Sequence, residues 1–143
     1  MSKEATMATN PQFGDLLGIT PTSDFHLTEI VEGGLPLAAL ALLRERGLTA
    51  TELSDIVISP RTLKHRKARN EPLSQEETDR AVRVARILSL AEDVFHNPDK
   101  ALLWLRSPDD RLADRTPLNL LHTESGGRLV ESMLWALDEG IYT

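Results

Sequence analysis

The sequence predicts an all-α protein in two modules, and three observations carry that expectation. Apolar residues recur at helical spacing between helix-start and helix-stop residues, no alternating strand pattern of useful length intervenes, and cations gather in one block of an acidic chain. The 143 residues are 41% hydrophobic and 27% charged with a net charge of −6. That is ordinary globular composition and excludes disorder of the whole chain. With no cysteine, a disulfide framework, thiolate-bound zinc and a cysteine nucleophile are excluded. No apolar run approaches the ~18 residues of a membrane span. Met1 to Asn10 lack the apolar core of a signal peptide, so a soluble, cytoplasmic chain without a membrane partner is expected.

Residues 1–22 hold few apolar side chains and the breakers Pro11, Gly14, Gly18 and Pro21, so a poorly ordered N-terminal arm is expected there. Phe25, Leu27, Ile30 and Val31 have mixed period and stop at Gly33 and Gly34. Pro36 opens a helix with Leu37, Leu40, Ala41 and Leu43 on one face, and Gly47 ends it. Thr49 and Glu52 fit a capping box ahead of Leu53, Ile56 and Val57. Ser59 then caps a third helix with Pro60 at its first position, where a missing amide costs nothing.

Ser74 and Glu77 form a second capping box for the longest helix, whose apolar stripe from Ala81 to Phe95 is broad enough to serve two neighbours. A module boundary is expected near His96, giving residues 23–95 and 96–143. Asn97 and Pro98 start a short helix carrying Trp104 as a core residue, and Thr116 and Pro117 start the short element to Leu121. Thr123, Glu124 and Ser125 read as a helix start with Ser125 as cap, not as catalytic groups. After Gly126 and Gly127 a last helix carries Leu129, Val130, Met133, Leu134 and Leu137 to a stop at Gly140.

Chemistry concentrates in the third helix. Arg61, Lys64, His65, Arg66, Lys67 and Arg69 follow one another without a carboxylate until Glu71, while Leu63 and Ala68 are nearly all its apolar content. A short helix, a tight turn and a basic third helix are the order of a helix-turn-helix reader, in which arginine and lysine neutralise phosphates and arginine can fork onto guanine. An exposed basic face on a plain bundle is the alternative. His26, His65, His96 and His122 are scattered, lack the spacing of a zinc site, and predict no metal. No glycine-rich phosphate loop follows a strand, so neither a catalytic site nor a cofactor is expected.

The C-terminal half resembles the Xre-type antitoxins of RES toxin pairs, also described as the ParS or MbcA group. The resemblance rests on Ala91-Glu92-Asp93-Val94-Phe95, Lys100 to Leu105 with Pro108, Arg115-Thr116-Pro117-Leu118-Asn119-Leu120-Leu121, Thr123-Glu124, Gly127, and Val130 through Tyr142. Pro36 to Leu90 is similar to the family's helix-turn-helix part in order rather than in motif. His96 and the pair Ala113-Asp114 stand where the family often has glycines. The resemblance implies a helix-turn-helix DNA-binding module followed by a small toxin-binding module. It also implies a RES-domain toxin that depletes NAD as partner, operator DNA bound in autoregulation, and a homodimer, whose candidate surfaces are the Ala81 to Phe95 stripe and the C-terminal module.

The resemblance further implies that the end of the chain, Glu139, Gly140, Ile141, Tyr142 and Thr143, enters the toxin's cleft. Trp135, on the helix beside that tail, is left open between a core residue and a toxin contact on its flank. The residues alone favour a simpler end, with Tyr142 folded back on the helix. The functional alternative is a transcription regulator whose C-terminal module only dimerises or senses a ligand.

Overall fold

The computed structural model of the protein describes residues 11–140. Those residues are helical with short turns, and the single β-type pairing among them is an isolated bridge between Asp109 and Arg115. The chain divides into two compact units, residues 1–85 and 86–143. The division falls inside a helix, because the stripe broad enough for two neighbours gives one half of that helix to each unit. The expected boundary near His96 therefore moves upstream.

In the first unit, α1 (Pro11–Asp15) and the turn after it bury Phe13, Leu16 and Leu17 to 2% exposure or less. This corrects the expected arm for residues 11–22. Three large side chains within five positions suffice to seat a segment whose prolines and glycines bound it rather than dissolve it. Helix α2 (Asp24–Gly33) is capped by the Ser23 hydroxyl, which accepts the His26 amide at 3.0 Å. Helix α3 (Ala38–Glu45) starts two residues later than Pro36 suggests and buries Ala39, Leu40 and Leu43.

Helix α4 (Ala50–Ile56) has the expected capping box, with the Glu52 amide donating to the Thr49 hydroxyl at 3.1 Å and the Thr49 amide to the Glu52 carboxylate at 2.9 Å. Helix α5 (Pro60–Arg69) begins at the Ser59 cap and ends at Asn70 in the left-handed region. Helix α6 (Gln75–Phe95) has its own capping box between Ser74 and Glu77, at 2.8 and 3.1 Å. Its Thr78 hydroxyl, fully buried, accepts the Leu35 amide at 3.0 Å, and the Leu73 amide donates to the Leu35 carbonyl at 2.9 Å. The link between α2 and α3 is thereby fastened to α6.

In the second unit, α6 turns at His96, φ 54°, into α7 (Pro98–Leu105), capped by Asn97 as expected. Phe95 and Trp104 meet with ring centroids 6.0 Å apart. A turn from Asp109 to Arg115 contains Ala113 and Asp114, φ 55° and 63°. A 3-10 segment, Leu118–His122, buries Leu118, Leu120 and Leu121 and packs with α8 (Glu124–Glu139). The cap of α8 is Thr123, whose hydroxyl accepts the Gly126 amide at 3.0 Å, and not Ser125. The helix thus starts before both glycines, because a Cβ on Gly126 would overlap the Leu120 carbonyl, and only glycine lets the first turn approach that closely.

Candidate functional site

The basic helix α5 is held by two arginine contacts that the sequence does not announce. The Arg80 Nε on α6 donates to the Val57 carbonyl at 2.9 Å, satisfying the end of α4 at the turn into α5. From α5 itself, Arg66 forks onto Glu77, Nε to Oε1 at 3.1 Å and Nη2 to Oε2 at 3.0 Å, and reaches Glu71 at 3.4 Å. Burial pushes the Glu77 carboxyl up, but the Arg66 hydrogen bonds and the Ser74 amide outweigh it and hold the group below its ordinary value. The same hydrogen bond to Glu77 raises Arg66. Arg66 therefore belongs to the scaffold of the helix-turn-helix.

With ~100° between successive helical residues, pinning Arg66 fixes which way the other side chains of α5 turn. Pro60, Leu63 and Lys67 line an apolar groove shared with α3 and α4. The opposite arc carries Arg61, Lys64, His65 and Arg69, all exposed, around the small Ala68. None of these four makes an ion pair among the described residues. The one-sign block read from the sequence is thus three surfaces: an outward basic arc, a groove wall and an inward anchor. The groove itself had no sequence signal, since its lining residues come from three helices.

In the second unit, α8 buries Gly127, Val130, Met133 and Leu134 and leaves Leu129 47% exposed. Trp135 is half-buried, and Glu139 and Gly140 are exposed at the helix end, where Gly140 takes φ 72° as the C-cap. Ile141, Tyr142 and Thr143 lie outside the described residues. On α6, Asp93 is raised by burial and by the Asp138 charge, against the opposing effect of His96. Asp138 and Glu139 also sit at the negative end of the α8 dipole, so this end of the helix is electronegative. No group of three or more metal-ligating side chains occurs among the described residues.

Residues 26–86 match the antitoxin Xre-like helix-turn-helix domain, and residues 90–140 match the antitoxin Xre/MbcA/ParS C-terminal toxin-binding domain. The chain is 39% identical to an antitoxin Xre of Pseudomonas putida over 82% of its own length and 74% of that protein's. It is 28% identical to an antitoxin Xre of Photorhabdus laumondii over 87% and 86% of the two chains. A Prs ADP-ribosylating antitoxin of Sphingobium is 29% identical over 57% of each chain. The antitoxin-like fold also matches a chain in the crystal structure of the M. tuberculosis MbcT-MbcA toxin-antitoxin complex, with a TM-score of 0.55 and 27% identity, over 71% of this chain and 90% of that one.

Proposed function

Since the chain belongs to the Xre antitoxin family, we propose that it neutralises a RES-domain, NAD-depleting toxin and, as a homodimer, represses its own operon by binding operator DNA. One observation carries the reading: the toxin-binding domain match at residues 90–140 falls wholly within the second compact unit. The helix-turn-helix match falls almost entirely within the first. Two tasks thus have two separately packed bodies to carry them.

For DNA, the contact set is the outward arc of α5: Arg61, Lys64, His65 and Arg69. An exposed cation with no carboxylate partner loses nothing when it turns to a phosphate, whereas Arg66 would have to abandon a two-pronged bond to Glu77. Lys67 lines the groove and stands at the margin of the set. For the toxin, the contact set is Trp135, Glu139 and Gly140 with Ile141, Tyr142 and Thr143. Neither task gives the chain a reaction of its own to catalyse, and no cofactor is required.

Co-expression with the RES-type gene from the same operon tests the reading. The toxin should co-purify with this chain, and cells should survive only when both are made. Arg61→Glu with Lys64→Glu should abolish operator binding and leave survival unchanged. The milder Arg61→Ala/Lys64→Ala pair should flatten the salt dependence of log affinity by about 1.8 per bound protomer, from two phosphates released. Normal operator binding by the charge-reversed protein would remove the arc from the DNA interface.

A further inference from the structure

Two features of the first unit have been given no occupant or partner above, and they complement one another. One is the groove between α3, α4 and α5, about 360 Å³, walled by Leu40, Ala41, Leu53 and Leu63 and also lined by Arg44 and Lys67. Both cations are exposed, and neither is in an ion pair among the described residues. The other is α2, which buries no residue. Its Phe25 is 70% exposed, more than any other large hydrophobic side chain among the described residues. Glu29 and Glu32 are exposed as well, and at i, i+4 and i+7 the three share one face.

The pairing follows from size and sign. Ligand-accepting cavities run from ~300 to 1,000 Å³, so this groove takes a single aromatic anchor and its surroundings. An aromatic ring flanked by two carboxylates matches an apolar trough flanked by two cations. The chain does not fill its own groove with this ring, because Phe25 remains exposed and no α2 residue lines the cavity. The occupant is then a second copy, and a two-fold axis lets each chain give its helix and accept the other's, so both anchors are buried at once. The long-helix stripe, one alternative dimer surface, is already used: Ala81, Val82, Val84, Ala85, Ile87, Leu88, Leu90 and Ala91 are buried within the chain.

We propose that the Phe25–Glu29–Glu32 face of α2 docks into the α3–α4–α5 groove of a second copy, and that this reciprocal exchange forms the homodimer. The proposal rests on the self-association in the reading above and names its surface.

Sedimentation of the full chain at micromolar concentration tests it, with Phe25→Ala, Arg44→Glu, Glu29→Lys and the charge-swapped double variant Glu29→Lys/Arg44→Glu. The first three should weaken dimerisation roughly tenfold or more, as loss of an interface anchor does, and the double variant should recover most of it. A parent chain that sediments as a monomer overturns both this interface and the homodimer. A parent dimer that Phe25→Ala and Arg44→Glu leave intact overturns the interface alone. If Arg44→Glu instead costs only toxin co-purification, the groove holds the toxin and the proposal fails. Should Phe25→Ala melt early, the charge swap decides, since lost folding is not restored by a second reversed charge.

Discussion

His96 and Ala113 adopt left-handed backbone without being glycines, with Asp114 beside Ala113 doing the same. They are the three positions at which the resemblance leads one to expect glycine, and the chain takes the conformation at the cost of a Cβ in a crowded region of φ. Ala113 is exposed, so its side chain gives nothing in return. Ala113→Gly should raise the stability of the protein by about 0.5–1 kcal/mol in denaturant titration. Gly126→Ala should do the reverse, by about 2 kcal/mol or more, because a Cβ there meets the Leu120 carbonyl and the first turn of α8 must move. Composition showed these positions as ordinary loop residues; the backbone angle that gives them meaning is set by where the flanking helices must go. Arg66 makes the same point for side chains. Its charge was legible, but its direction depended on Glu77, eleven residues further on.

At the scale of elements, helix starts were the most legible feature. Thr49 with Glu52, Ser59 with Pro60, Ser74 with Glu77 and Asn97 with Pro98 all cap where their chemistry places them, because a cap needs only residues within three positions. Helix faces were less legible where the neighbours come from afar. The α2 segment had no clear period and still folds as a helix, while residues 11–22 are tied down by Phe13, Leu16 and Leu17 rather than by any periodic pattern. The contact between α5 and α6 yields a pH prediction. Glu77 has its folded pKa held below the ordinary 4.5, first against burial and then by Arg66 and Ser74. A carboxyl depressed in the folded state contributes stability above its unfolded pKa and loses it as pH falls through the folded value. Thermal scans should therefore show the protein weakening below about pH 4.5, and Glu77→Gln should flatten that acid limb. Glu77→Ala should cost about 1–3 kcal/mol at pH 7, since it removes a cap and leaves Arg66 without its main partner.

The whole molecule is a helix-turn-helix unit and a toxin-binding-domain unit that share one helix, and its behaviour as two bodies is testable at the far end of the chain. Residues 141–143 follow Gly140, whose left-handed φ of 72° ends α8 with a satisfied cap, its amide donating to the Leu137 carbonyl at 3.1 Å. Among the described residues, the second unit buries Val130, Met133 and Leu134 on α8 and Leu118, Leu120 and Leu121 on the 3-10 segment that packs with it, all before that point. Deleting Ile141, Tyr142 and Thr143 should consequently leave melting temperature and operator affinity unchanged. Within a toxin cleft, however, a buried tyrosine is worth ~2 kcal/mol or more, so Tyr142→Ala should weaken toxin affinity by about 30-fold and the deletion by at least as much. Survival of toxin-expressing cells and titration of the purified toxin read this directly. Full protection by the truncated chain would move neutralisation to the flank around Trp135, and Trp135→Ala would then carry the loss. A truncation that also lowered operator affinity would mean that the second unit governs how the first meets DNA.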